Sequence, residues 1–93
     1  MNELHLIAYD TPSDQRRRRV AKVLEGYGHR VQDSVFECWL NPLQRAALLQ
    51  RLRRQLSLRQ DSLRIYILCA KDVADVQCLG VGGRPHDPDP PVI

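Results

Sequence analysis

The sequence contains no apolar run of about 18 residues, the length that a membrane-spanning helix needs, so we expect no membrane partner. No basic, apolar, small-residue segment opens the chain, and we therefore expect no secretory signal. The three cysteines, Cys38, Cys69 and Cys78, are an odd number without a C-x-x-C spacing. Each sits inside an apolar run, which predicts reduced cysteines of the core in a cytoplasmic protein.

Lysine is scarce, because all but two of the fourteen basic residues are arginine. Arginine binds phosphate and carboxylate groups in a bidentate manner, so this preference favours an anionic partner. The net charge of +3 and the pI near 9.0 are equally consistent with a polyanion partner and with a solvated basic surface.

Motifs of the common catalytic centres are also missing. There is no Ser–His or Cys–His elbow, no P-loop and no G-x-G-x-x-G run, and the three histidines lack metal-site spacing. The length of 93 residues predicts one domain, 1–80, and a Gly- and Pro-rich tail, 81–93, that can pack on a partner chain. So small a core is marginally stable, which favours oligomerisation.

A strand and a helix open the predicted fold. Leu4 to Tyr9 is almost continuously apolar, which is typical of a central strand covered on both faces. Thr11, Ser13 and Asp14 are alternative N-caps of the helix, and Gly28 supplies its stop. The helix carries a buried stripe at i, i+3, i+4 and i+7 spacing: Val20, Val23, Leu24 and Tyr27.

A long extended segment and a second helix follow. His29 to Leu40 alternates in polarity, but its twelve residues favour a kink or bulge near Asp33-Ser34 that divides it into two arms. The run from Asn41 to Gln44 then has the N-cap, proline and glutamine of a capping box. It starts a helix that we expect to run to about Leu58.

Three shorter elements complete the prediction. Ser62 to Cys69 predicts a strand, Lys71 to Asp75 a turn or helical segment, and Val76 to Leu79 a last short strand. The element order predicts an α+β fold, a ferredoxin-like two-layer sandwich in which an antiparallel sheet carries two helices on one face.

Asp10 ends the first strand, where the N-terminus of the following helix favours an anion. Such an aspartate can simply cap the helix. However, the consecutive arginines Arg16 to Arg19 oppose the helix dipole at a cost of ~0.3–1 kcal/mol each, which suggests that an outside anion gathers there. At about 100° per residue, Arg16 and Arg17 can reach back toward Asp10, whereas Arg18 points into solvent. Phosphate contacts and an Asp10–Arg16 or Asp14–Arg17 ion pair are the alternatives.

Asp10 is also a candidate ligand for Mg²⁺, which needs only one or two protein carboxylates. No second acid except Asp14 lies nearby in sequence, so a twofold dimer that presents Asp10 from both chains would complete the site. An ion held there could polarise a phosphodiester and activate water.

Two segments resemble the CRISPR-associated Cas-two family. The first is LIAYD at residues 6–10, together with the arginine-rich helix at residues 16–24. The second is YGHRVQDSVFE at residues 27–37, and its RVQ-x-SVFE run is the part most specific to the family. The resemblance covers roughly residues 1–80. It implies a ferredoxin-like homodimer, often with a C-terminal strand paired to the partner chain, that takes part in spacer DNA acquisition with dimers of the Cas-one integrase. Members are described as magnesium-dependent endonucleases that act on single-stranded RNA or double-stranded DNA.

The resemblance assigns roles to particular positions. Asp10 is the catalytic and metal-binding position, and Phe36 is a structural or interface position. The nucleic-acid-binding positions, which face DNA, RNA or both, are Tyr9, Arg16, Arg17, Arg18 and Arg30. Four consecutive arginines leave open which of Arg16 to Arg19 match the functional arginines of the family. Beyond Val81, where the family has a regular C-terminal strand, this sequence has several prolines, which do not favour the pairing of that strand with the partner chain.

Three other functions compete with an endonuclease. A non-catalytic dimer could bridge DNA as a scaffold. A ferredoxin-like RNA-binding module would need exposed strand aromatics in a pattern that this sequence lacks. A small-molecule regulatory domain of the same fold would act independently of salt, whereas phosphate binding weakens steeply as salt is added.

Overall fold

The computed structural model describes residues 2–81 and Pro85. Its elements are β1 (Glu3–Asp10), α1 (Asp14–Glu25), β2 (His29–Gln32), β3 (Val35–Leu40), α2 (Pro42–Gln55), β4 (Ser62–Leu68) and α3 (Ala70–Ala74). The strands form one antiparallel sheet in the order β2-β3-β1-β4. This confirms the predicted α+β, ferredoxin-like class.

β1 is the central strand, and its side chains alternate between the two faces of the sheet. Ile7 lies opposite Phe36 of β3 and Ile65 of β4, and faces the helices. The core consists of this face together with the predicted stripe of α1 and the leucines of α2, namely Ile7, Tyr9, Val20, Ala21, Val23, Leu24, Phe36, Cys38, Leu40, Leu48 and Leu52. Both helices therefore cover one face, as predicted.

We call the other side of the sheet the outer face. The registers place Leu6 opposite Tyr66, Ala8 opposite Val35, and Leu4 opposite Trp39 on this side. Glu37 and Arg64 lie among these apolar residues, and Tyr66 keeps 49% of its surface exposed. Neither α1 nor α2 covers this face.

Ser13 caps α1, so the second of the predicted alternatives is correct. Its hydroxyl oxygen accepts the backbone N–H of Arg16 at 3.2 Å, while the buried hydroxyl of Thr11 accepts the N–H of Ser13 at 3.2 Å. The cap fixes the direction in which α1 leaves the end of β1.

The predicted helix stop at Gly28 is wrong. α1 ends at Glu25, and the N–H of Gly26 donates to the carbonyl of Val23. Gly28 serves a different purpose, because a Cβ there would lie 2.2 Å from the carbonyl oxygen of Glu37. Glycine lets the chain pass this close to β3.

The extended segment divides at Asp33-Ser34, as predicted, and the division is a hairpin turn between β2 and β3. A register shift between Arg30 and Gln32 supplies the bulge. The capping box of α2 is also confirmed: Asn41 Oδ1 accepts the N–H of Gln44 at 2.8 Å, and Gln44 Oε1 accepts the N–H of Asn41 at 2.9 Å. The helix ends at Gln55, before the expected Leu58, because Leu56 turns to extended backbone.

The last elements agree with prediction only in part. β4 and the helical alternative at α3 are confirmed, but Val76 to Leu79 forms no strand in the described part of the chain. A strand needs a hydrogen-bonded neighbour, and this segment does not join the sheet. Apart from Val81 and Pro85, the predicted tail lies outside the described residues.

The cysteine prediction is correct for one residue. Cys38 is buried in the core, and burial, with a smaller effect of Glu37, raises the pKa of its thiol to about 11. Cys69 and Cys78 are exposed, because α3 and the segment after it do not pack into the core. Among the described residues, no helix has the length and apolar character of a membrane span.

Candidate functional site

Asp10 occupies the last position of β1, opposite Ser62 of β4, and its side chain is exposed. Within residues 2–81 and Pro85 its carboxylate has no hydrogen bond or ion pair. Since Ser13 caps α1, the capping alternative for Asp10 is wrong. Strand alternation places Asp10 on the outer face with Leu6 and Ala8.

An open cavity of about 400 Å³ adjoins this strand end. It is formed by the end of β1, the first half of α1 and the β2–β3 hairpin. The cavity contains five of the predicted site residues: Tyr9, Asp10, Arg17, Arg18 and Arg30. We call it the Asp10 cavity; it brings the carboxylates of Asp10 and Asp33 together with three guanidinium groups.

The three guanidinium groups differ in how far they are engaged. Arg17 donates to the carbonyl of Thr11 at 2.9 Å. It also forms the ion pair with Asp14 that the sequence predicts as an alternative to phosphate contacts. Nη2 of Arg30 lies 3.8 Å from Oε1 of Glu25, and the Arg30 guanidinium lies over the Phe36 ring. Arg18 is exposed and has no such partner in the described part of the chain. Arg18 is therefore the most available cation of the cavity.

The prediction from helical periodicity is correct only in part, because Arg18 is exposed as expected, whereas Arg16 turns toward the end of the sheet but binds Asp61 rather than Asp10. Arg18 lines the Asp10 cavity, because a long side chain can sweep back across the surface of its helix. Arg16 does not line that cavity; its Nε and Nη2 donate to the two carboxylate oxygens of Asp61 at 2.8 and 3.1 Å. The nucleic-acid contact of Arg16 stays a prediction.

Asp61 is held by several donors at the start of β4. Besides Arg16, it accepts the backbone N–H of Ser57 at 2.8 Å and a hydrogen bond from Thr11. The hydrogen bond from Arg16 is the largest of the effects that lower its carboxyl pKa to about 2. The pair joins α1 to the loop before β4, next to the residue that faces Asp10.

The two aromatic positions of the predicted site are mainly structural. Tyr9 is 4% exposed, and its hydroxyl donates to the carbonyl of Asp33 at 3.4 Å, which ties β1 to the hairpin turn. Burial is the main effect that raises the pKa of Tyr9. Phe36 is fully buried, which agrees with a structural role rather than an interface role.

A metal ion would find two candidate carboxylates, Asp10 and Asp33, in the cavity of a single chain. The described residues contain no group of three His, Cys, Asp or Glu side chains that could hold an ion. The exposed Asp10 carboxylate is an oxygen donor of the kind that Mg²⁺ prefers, and nothing within the described chain competes for it. The residues of one chain therefore fit part of a magnesium site.

Some residues around the site have no local sequence signal. Asp33 and Ser34 line the Asp10 cavity because the hairpin folds back beside α1, and only their membership of the RVQ-x-SVFE run indicates this. Asp61 is separated from Arg16 by 45 positions, so no pattern within one helix or loop reveals their pairing.

The chain is similar to proteins of one known family over most of its length. A family model described as "CRISPR associated protein Cas2" matches residues 3–76. The chain is 48% identical over 83 residues to "CRISPR-associated endonuclease Cas2 2" of Thermus thermophilus, covering 89% of this chain and 88% of the relative. It is 44% identical over 88 residues to "CRISPR-associated endoribonuclease Cas2 3" of Synechocystis sp., covering 95% and 92%.

Solved structures show the same similarity. Streptococcus pyogenes Cas2, crystallised at pH 6.5, superposes with a TM-score of 0.73 at 35% identity, covering 83% of this chain and 99% of the other. A chain of a partial Cas6-RT-Cas1–Cas2 complex superposes with a TM-score of 0.72 at 26% identity, covering 83% and 84%.

Proposed function

The chain belongs to the CRISPR-associated Cas2 family, and we propose that it is a homodimeric, magnesium-dependent endonuclease of CRISPR adaptation. Its substrates are single-stranded RNA or double-stranded DNA, and it takes part in spacer acquisition together with the Cas1 integrase. Relatives named endonuclease and endoribonuclease support the activity. The observation that carries the proposal is the exposed, unpaired Asp10 carboxylate beside three arginines in one cavity.

The arginines of the Asp10 cavity bind the phosphate backbone in this proposal. Arg18 is free to move onto a phosphate, and Arg30 can leave its exposed ion pair with Glu25 at little cost. Arg17 is anchored to Thr11, so it presents a fixed charge. The three cations hold the strand beside Asp10 without reading its bases.

A second copy of the chain completes the site. The outer face is largely apolar and carries Asp10 at its edge, so a twofold axis through that face would bring the two Asp10 carboxylates toward each other. Asp10 from both copies would then hold Mg²⁺. The bound ion supplies Lewis-acid polarisation of the phosphodiester and a more acidic water.

The Cas1 partnership rests on similarity to a chain solved within a Cas1–Cas2 complex. One observation favours the non-catalytic scaffold as a second candidate function. Each chain offers only the Asp10 and Asp33 carboxylates among the described residues of the site, and no three-ligand cluster occurs anywhere in those residues. A dimer that bridges DNA through its arginines would need no metal at all.

Cleavage assays separate these functions. Purified protein is incubated with single-stranded RNA or duplex DNA, in magnesium or in chelator. We expect Asp10→Ala to lower the rate at least about 100-fold, because the metal contributes several kcal/mol of transition-state stabilisation. Asp75→Asn, which removes an exposed acid beyond α3, serves as the matched control and should cleave like wild type.

Two outcomes decide the proposal. Undiminished cleavage by Asp10→Ala, or equal cleavage in chelator, would show that this site is not the nuclease centre. Spacer acquisition by an Asp10→Ala strain that no longer cleaves would instead assign the scaffold role to the dimer.

A further inference from the structure

A second surface groove, with a volume of about 510 Å³, lies between α1 and α2. Its polar lining consists of the cations Arg18, Arg19 and Lys22 and of two amides, with Val23 at its floor. The amides belong to Gln15 and Gln55, and no acid lines the groove. We call it the α1–α2 groove.

The cations of this groove lack counter-ions. Within the described residues, Arg18, Arg19 and Lys22 have no hydrogen bond or ion pair through their side chains, and all three are exposed. Arg16 and Arg17, on the same helix, are both paired with carboxylates. Like charges gathered without an acid repel one another, so the groove attracts an anion from outside.

The surrounding helices strengthen this field. α1 carries five basic residues and two acidic ones, and α2 carries four arginines and no acid. The whole chain has a net charge of only +3, so the positive charge is concentrated on the helical layer. Arginine, lysine and amide side chains are the groups that contact phosphate oxygens without reading base sequence.

The groove adjoins the Asp10 cavity, because Arg18 lines both. Arg18 and Lys22 are one helical turn apart, about 6 Å along the axis of α1. A polymer with one phosphate beside Asp10 can therefore continue along α1 and place its next phosphates against Arg19 and Lys22.

We propose that the α1–α2 groove binds the phosphate backbone of the nucleic acid beyond the segment held in the Asp10 cavity. This inference rests on the proposed function and adds a second contact region to it. It follows that long substrates bind more tightly than short ones, and that the difference depends on Arg19 and Lys22.

Binding assays with the double variant Arg19→Gln/Lys22→Gln test this directly. Fluorescence anisotropy in chelator compares labelled single-stranded RNAs of about 2 nucleotides, which are too short to extend from the Asp10 cavity to Lys22, and of about 24 nucleotides across a salt series. Losing two phosphate contacts should reduce the slope of log K against log salt by about 1.4 for the long strand, and weaken its binding roughly tenfold at low salt. The short strand should bind the variant like wild type.

The matched control is Arg53→Gln/Arg59→Gln, which removes the same charge from exposed positions outside the groove. The proposal would be overturned if this control weakened binding of the long strand equally. It would also be overturned if Arg19→Gln/Lys22→Gln lost as much affinity for the short strand as for the long one. Wild-type affinity and slope in Arg19→Gln/Lys22→Gln would overturn it as well.

The two proposals fail in different ways. Wild-type protein that binds no nucleic acid would contradict both. A length-dependent effect of Arg19→Gln/Lys22→Gln in a protein that never cleaves would support the groove and contradict the nuclease.

Discussion

At the scale of single residues, the site is organised by which charges are already paired. Asp10 and Arg18 have no partner in the described chain, whereas Arg16 and Asp61 satisfy each other. The sequence shows the four arginines and the aspartate, but it does not show this division. Asp61 is distant in sequence, and only the folded sheet brings the start of β4 against α1.

The Arg16–Asp61 pair predicts an acid dependence of stability. The folded-state pKa of Asp61, about 2, is below its ordinary value of 3.8. The pair therefore stabilises the fold fully above about pH 4, and this contribution is lost as the pH falls through the folded pKa. Asp61→Asn should be less stable than wild type at neutral pH, and the difference should shrink as the pH falls to about 2. Denaturant midpoints measured across this pH range test the prediction.

Asp14→Asn is the control for that measurement. It breaks the exposed Asp14–Arg17 pair, and exposed pairs contribute about 0–1 kcal/mol. A wild-type pH profile in Asp61→Asn would mean that the Arg16–Asp61 pair does not stabilise the fold.

At the scale of elements, local sequence rules predicted most of the fold. The capping box of α2, the buried stripe of α1 and the division at Asp33-Ser34 depend on neighbours within a few positions, and all three are confirmed. The predictions that were wrong depend on distant contacts. Gly28 was assigned to its helix, although its backbone is constrained by β3, and Val76 to Leu79 pairs with no strand of the described residues.

Gly28→Ala should destabilise the protein by ~1–3 kcal/mol, the usual cost of forcing extra volume into a packed region. The new Cβ would meet the Glu37 carbonyl at 2.2 Å and the Cys38 Cα at 2.8 Å, which are backbone atoms that cannot rotate away. Urea unfolding measures the change. Gly26→Ala is the control, because its nearest atom lies at 3.4 Å and its backbone is helical. Equal stability of the two variants would contradict this account of Gly28.

At the scale of the whole molecule, the two layers differ in chemistry. The helical layer is strongly basic, whereas the outer face of the sheet is largely apolar with Asp10 at its edge. Composition predicted a basic protein with an oligomerisation tendency, but only the registers show that the two properties belong to opposite sides. The proposed dimer uses the sheet side and leaves both helices available for nucleic acid.

Tyr66→Arg should therefore disrupt the proposed dimer. Tyr66 lies on the outer face opposite Leu6, and a charge there would be buried against the second copy without a partner. Light scattering coupled to size exclusion should show a monomer for this variant and a dimer for wild type. Leu43→Arg is the control, since Leu43 is 82% exposed on α2. A dimeric Tyr66→Arg protein would place the interface elsewhere.

The central position of β1 has a consequence for the order in which the protein folds. β1 is the first strand made, but one of its two neighbours, β4, is the last strand of the sheet. Pairing between such distant segments is slow, because a long loop must close before any contact forms. During synthesis β1 therefore cannot pair with β4 until almost the whole domain has left the ribosome. The corner at which the Asp61 loop meets α1 is thus completed late, after the residues that line the Asp10 cavity, 9–34, have been made.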